Sequence, residues 1–138
     1  MLTNIEIKAR CEDTAKLRQI LLENGAEHKG TDHQIDTYFN ISQGRLKLRE
    51  GLIEHALIHY NRPNGTAPKK SEVSLYKPQK DASLKSLLTN ALGVKVVVDK
   101  QRDIFFIANV KFHLDIVEGL GTFMEIEAID IDLSLIHI

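Results

Sequence analysis

The 138-residue sequence has one cysteine, almost no net charge, no repeat period, no low-complexity tract and no long apolar run. A lone cysteine, Cys11, cannot close an internal disulfide, which excludes a disulfide scaffold. With 18 Lys plus Arg against 19 Asp plus Glu the formal net charge is −1, which argues against a nucleic-acid binder, so any basic site must be local and balanced by acids elsewhere. No apolar stretch approaches the roughly 20 residues of a membrane span. The opening Met1-Leu2-Thr3-Asn4-Ile5-Glu6 has neither the basic region nor the apolar run of a signal peptide. What remains is the expectation of one globular cytoplasmic domain, without nucleic-acid or membrane partners. It is long enough to bury a core and too short for two domains of ordinary size.

Period-2 alternation is the main pattern present. Residues 4–10 place Asn4, Glu6, Lys8 and Arg10 on one face and Ile5, Ile7 and Ala9 on the other, which predicts a strand with one polar face. Further strands are predicted at 33–40, 45–50, 55–62, 70–77, 94–107, 110–117 and 122–131. A helix is predicted over 13–24, with Asp13 as N-cap and Gly25 as the stop. A second fits 81–92, with Asp81 as cap, an apolar stripe of Leu84, Leu87, Leu88 and Leu92, and Gly93 at its end. Eight strands joined mainly by short turns indicate an antiparallel meander, and their polar alternation suggests closure into a barrel.

The polar faces are sorted by charge. Arg45, Lys47 and Arg49 share one face, as do Tyr60 with Arg62 and Lys100 with Arg102. Acids gather on His113 with Asp115, on Glu125 with Glu127, and at Glu6. Strand by strand, these read as solvent faces of an antiparallel sheet. Taken together they do not, because like charges about 5 Å apart across strands repel unless something anionic faces them. A sheet rolled with its polar faces inward would hold a basic belt beside a carboxylate cluster. Such a lumen suits a polyanionic phosphate chain, bridged to the carboxylates by a divalent cation. With the apolar faces inward instead, the two amphipathic helices would need another apolar surface to cover. Of the histidines at 28, 33, 55, 59 and 113 no pair has i, i+4 spacing on a plausible shared helix, His55 and His59 falling in a strand, and they read as surface or lumen residues. Cys11 has no implied histidine partner, and Glu118-Gly-Leu-Gly lacks the Lys-Ser or Lys-Thr of a phosphate loop and reads as a turn.

These motifs carry a resemblance. Asn4-Ile-Glu6-Ile-Lys8 resembles the Glu-x-Glu-x-Lys opening of the CYTH family, or triphosphate tunnel metalloenzymes. In family order follow Asp36-Thr-Tyr38-Phe39, Gly44-Arg45-Leu-Lys47-Leu-Arg49-Glu50, Tyr60-Asn-Arg62-Pro63, Lys100-Gln-Arg102 and the run from His113 to Glu127. The likeness covers residues 4 to about 130, and the class IV adenylyl cyclase-like branch is the most similar.

The resemblance implies an α+β fold: an eight-stranded antiparallel closed β-barrel with a polar, charged lumen and helices outside. It implies metal-associated carboxylates at Glu6, Asp115, Glu125 and Glu127, binding Mg²⁺ or Mn²⁺. Lys8, Arg45, Lys47, Arg49, Arg62, Lys100 and Arg102 match the cations that hold triphosphate oxygens, with Lys70 a further candidate. Lys8 and the four carboxylates form the implied catalytic set. The implied activity is conversion of ATP to cyclic AMP and pyrophosphate; alternatives are tripolyphosphatase or nucleoside or thiamine triphosphatase, and then a module that binds polyphosphate or a nucleotide without turnover. Two departures bear on this. Asn4 stands where the family motif has its first glutamate, and the family's further C-terminal helix has no counterpart, so poor folding or self-association, as a homodimer, is the expected consequence of an uncovered apolar face. The last six residues, 133–138, read as the translated end of a sequencing adaptor, which leaves 1–132 as the expected native domain.

Overall fold

The structure is a computed structural model, and it describes residues 2–61 and 69–129. The elements are β1 (Leu2–Arg10), α1 (Thr14–Glu23), β2 (Glu27–Phe39), β3 (Arg45–Glu50), β4 (Ala56–Asn61), β5 (Lys69–Tyr76), α2 (Ala82–Leu92), β6 (Val94–Ile107), β7 (Val110–Val117) and β8 (Gly121–Ile129). All pairings are antiparallel, in the order β1-β5-β4-β3-β2-β6-β7-β8, and β1 also pairs with β8, which is the ladder of a closed barrel. The sheet curls unevenly. The β1–β5 seam is five residue pairs, Leu2↔Val73 to Glu6↔Lys69, whereas β2 and β6 pair along almost their whole length, from Glu27↔Phe106 to Phe39↔Val94.

The observed β2 begins six residues before the strand predicted at 33, because Glu27 to Asp32 is polar at every position but Gly30 and shows no alternation. Pairing with β6, broken by a bulge between His28 and Gly30, makes this segment a strand.

Both helices are capped as expected. The Asp13 carboxylate accepts the Lys16 amide at 2.9 Å, and Asp81 accepts the Ser83 amide at 2.8 Å. Gly25 and Gly93, at φ 78° and 77°, supply the left-handed residues that end them. Leu21 of α1 is buried against Phe105 and Leu114 on one face of the sheet, with Leu17, Phe112 and Met124 around them. The α2 stripe is less complete than its sequence suggests: Leu84, Leu88 and Leu92 are half-buried, whereas Leu87 is 64% exposed. None of the described helices is long and apolar enough to cross a membrane.

The face opposite α1 is polar and enclosed. Glu54, in the loop between β3 and β4, meets Lys111 of β7 at 2.8 Å and Arg49 of β3 at 3.6 Å. Those strands are separated by β2 and β6, so this face is concave. It buries Asp32, Gln34, Asp36, Arg102, His113 and Asp115 almost completely. The reading with apolar faces inward fails here, since Phe105 and Leu114 lie on the α1 side.

Candidate functional site

Strand register decides which charges meet on the concave face. Arg102 lies across from Asp115, and its guanidinium grips that carboxylate through two parallel hydrogen bonds, Nε to Oδ1 at 2.8 Å and Nη2 to Oδ2 at 2.9 Å. Arg49 lies across from Asp36 and makes the same fork, both bonds 2.9 Å, and Lys100 adds a third contact to Asp36 at 2.8 Å. Bidentate geometry is what makes a buried ion pair tolerable, because it satisfies the lone pairs that desolvation strands. Burial tends to raise the Asp36 carboxyl, but Arg49, Lys100 and Lys47 outweigh it and hold it far below the ordinary range. For Arg102, Asp115 likewise outweighs burial and holds the guanidinium charged.

A carboxylate and imidazole cluster lies beside these pairs. His113, Glu125 and Glu127 each offer a ligand atom, all within 4.8 Å of one another. Among the described residues, neither ring nitrogen of His113 makes a hydrogen bond, although the ring is buried; carboxylate oxygens of Glu125 and Glu54 lie 3.5 and 4.0 Å away. Burial first, and the Arg102 charge second, press its pKa down to about 4, so the imidazole is neutral near pH 7 and keeps a lone pair. Burial would raise Glu125, but His113, Arg102 and Lys8 hold it well below the usual carboxylate range. Glu127 moves the other way, raised by burial and by the charges of Glu125 and Glu6.

Lys47 lies between two aromatic rings, 5.6 Å from the centre of Tyr38 and 5.1 Å from that of Tyr60. Burial and the neighbouring Arg49 push it down to about 7, and burial with Arg49 and Arg102 pushes Lys100 to about 8. Lys8 and Arg10 stand over Phe123 at 5.4 and 5.2 Å.

These shifts predict the dependence of stability on pH. Asp36, Glu54 and Glu125 have folded pKa values below their unfolded ones, so their contribution is present above the ordinary carboxylate pKa and is lost on acidification through the folded values. His113 binds a proton more readily unfolded than folded between about 4 and 6.5, which also lowers stability as pH falls through that window. Lys47 and Lys100 bind fewer protons folded than unfolded, from about 7 and about 8 respectively up to 10.5, so stability keeps rising with pH above neutrality. The expected melting temperature therefore climbs from pH 4 through pH 9, and Lys47→Met reduces the rise above pH 7. A melting curve flat from pH 7 to 9 in the unsubstituted protein would contradict the burial of these lysines.

A family model, the CYTH domain, matches residues 2–135. The chain belongs to the CYTH domain family. Among solved structures, the PH1012 protein of Pyrococcus horikoshii OT3 is 22% identical with a TM-score of 0.72, the alignment covering 91% of this chain and 77% of that one. A Vibrio parahaemolyticus protein described as a "putative adenylate cyclase" is 21% identical with a TM-score of 0.71, covering 95% and 78%. A Hippeastrum protein described as a "putative adenylyl cyclase" with a dominant triphosphatase activity is 16% identical with a TM-score of 0.61, covering 95% and 81%. At these identities the likeness establishes the fold. No curated protein matches the chain by sequence.

Within this CYTH fold, Glu6, Lys8, Arg45, Lys47, Arg49, Lys100, Arg102, Asp115, Glu125 and Glu127 fall on one face by register. Glu6 lies across from Glu127, and Lys8 across from Glu125. Four of the residues expected to act on substrate or metal are engaged with each other or with Asp36: Arg102 and Asp115 form one pair, and Arg49 and Lys100 belong to Asp36. In the backbone register Lys70 is paired with Ile5 and Lys69 with Glu6. Arg62 lies outside the described residues, as does the segment 133–138.

Sequence reasoning missed Glu54, Asp32, Gln34 and the part of His113 in the cluster. Asp32 accepts the amides of Leu52, Ile53 and Glu54 at 2.8, 3.2 and 2.9 Å, which fixes the loop that delivers Glu54. Gly51 is required there, since a Cβ would sit 2.5 Å from Asp32 Oδ2. The signal for Asp36 was its place in the Asp-Thr-Tyr-Phe motif.

Proposed function

We propose that this CYTH chain is a divalent-metal-dependent enzyme acting on a triphosphate, first as a class IV adenylyl cyclase-like converter of ATP to cyclic AMP and pyrophosphate. The observation that supports it is the juxtaposition, on one enclosed face, of several buried cations and the His113, Glu125 and Glu127 cluster. Hydrolysis of the terminal phosphate is the second reading, favoured by the triphosphatase activity in the description of the Hippeastrum relative.

The donor set fits a divalent ion. A buried imidazole without a hydrogen bond among the described residues, with two carboxylates within 4.8 Å, is unexplained as packing. Glu125, Glu127 and His113, with Glu6 across from Glu127, would hold Mn²⁺ or Mg²⁺; the mixed nitrogen and oxygen set favours Mn²⁺. When bound, that ion supplies charge neutralisation at the phosphate oxygens and polarises the attacking oxygen. Lys47, Lys8 and Arg45 bind the phosphate chain, while the Asp-held guanidinium groups of Arg49 and Arg102 give it a fixed positive potential. Asp36 and Asp115 act as positioning residues for those guanidinium groups. In the cyclase reaction the ribose 3′-oxygen bonds to the α-phosphorus, the bond from that phosphorus to the bridging oxygen breaks, and pyrophosphate leaves. In the hydrolase reaction a water oxygen bonds to the terminal phosphorus, the bond from that phosphorus to its bridging oxygen breaks, the diphosphate remainder departs, and the terminal group is released as orthophosphate. Both need in-line alignment with the departing charge held by cations.

Because Lys47 is only partly protonated near pH 7, a bound polyanion raises its pKa and draws in a proton. Calorimetry of tripolyphosphate binding at pH 7.5, in buffers of different ionisation enthalpy, is therefore expected to show more proton uptake by the unsubstituted protein than by Lys47→Met. Equal proton exchange would mean that Lys47 does not meet the anion. Product analysis decides the reaction. With Mn²⁺ or Mg²⁺, cyclic AMP from ATP supports the cyclase and orthophosphate from ATP or tripolyphosphate supports the hydrolase. Binding without product leaves a polyphosphate-binding module, and no binding overturns the proposal.

A further inference from the structure

We propose that Glu54 is a built-in anion that occupies part of the phosphate site and must swing out when a polyanion binds. The proposal rests on the functional reading above and adds to it a displaceable strap, the loop 51–55. One Glu54 oxygen accepts from Gln34 at 2.8 Å and from Arg102 Nη1 at 3.3 Å; the other accepts from Lys111 Nζ at 2.8 Å, and Arg49 Nη1 lies 3.6 Å away. Two guanidinium groups and an ammonium group, brought from three strands onto one carboxylate, form the donor set that phosphate oxygens take.

Three features make Glu54 the displaceable member. The other carboxylates on this set of cations, Asp36 and Asp115, project from strands and hold Arg49 and Arg102 bidentately, so each arginine keeps its own partner if Glu54 leaves. Glu54 is delivered by a loop whose described anchorage is three backbone amides on Asp32. The apolar residues of that loop do not tie it down, since Leu52 is 87% exposed and Ile53 47% exposed. A segment held by few backbone bonds and little apolar contact belongs to the part of a structure that opens at low cost. A ligand carrying several negative charges outcompetes a single carboxylate for these cations, and the energy of displacing it is subtracted from the ligand's affinity.

The test uses the full chain, tripolyphosphate as the probe, and chelator to exclude metal. Glu54→Gln, which keeps the shape and removes the charge, is expected to bind tripolyphosphate at least about 10-fold more tightly than the unsubstituted protein. In the unsubstituted protein, saturating tripolyphosphate is expected to speed hydrogen exchange at the amides of residues 52–54 as the loop leaves Asp32. This second measurement needs no variant and holds if Glu54→Gln fails to fold. Affinity equal to or weaker than that of the unsubstituted protein, or exchange at 52–54 unchanged or slowed on binding, overturns the strap and leaves the phosphate site standing. If neither protein binds tripolyphosphate, the phosphate site and the strap fall together.

Discussion

Arg102→Ala is expected to cost about 3–5 kcal/mol of folding stability, because it strands a buried acid rather than removing one exposed contact. Arg102 is 1% exposed, and its guanidinium is the bidentate partner of Asp115, also 1% exposed, while touching Glu54 at 3.3 Å. Without it Asp115 is left desolvated without its guanidinium, while Glu54 keeps Gln34 and Lys111. The denaturation midpoint should fall sharply. Arg102→Met combined with Asp115→Leu should recover part of the loss, since a buried pair replaced as a unit by apolar groups is often tolerated. A loss below about 1 kcal/mol for Arg102→Ala, the range of an exposed pair, would show that this part of the face is wetter than the burial indicates.

Glu125→Gln is expected to reduce turnover by more than the roughly 10–100-fold that loss of an outer-shell partner costs a metal site. Glu127→Gln should do the same. The two carboxylates converge with His113 within 4.8 Å, and the amide of glutamine keeps the volume but loses the charge that a divalent ion requires. The fold should persist, because neither side chain belongs to the apolar cluster of Leu21, Phe105 and Leu114. Glu127→Gln should be the better tolerated in the absence of metal, as the Glu127 carboxyl is already raised by burial and by Glu125 and Glu6. Unchanged turnover in both variants would remove the cluster from the reaction.

The alternation of apolar and polar residues made the faces legible. Each side chain assigned to the polar side of β3, β6, β7 and β8 lies on the parity the sequence predicted. What alternation cannot give is register between strands distant in the chain, and register is what turned an expected belt of free cations into pairs. Arg102 meets Asp115 through the β6–β7 ladder, and Lys100 reaches Asp36 across 64 residues of sequence. Glu54 was illegible for a different reason: its position depends on Asp32 gathering three loop amides, a local geometry without a periodic signature. His113 alternates correctly with Asp115, but only the approach of Glu125 and Glu127 from β8 distinguishes it from an ordinary buried histidine.

If metal and triphosphate meet on the concave face at His113, Glu125 and Glu127, anomalous diffraction from crystals grown with Mn²⁺ and tripolyphosphate will show a manganese peak within about 2.5 Å of carboxylate oxygens of Glu125 and Glu127. A ring nitrogen of His113 should lie beside it, with phosphate density extending toward Lys47. Manganese elsewhere with this cluster empty, or tripolyphosphate bound on the α1 side of the sheet, would contradict it.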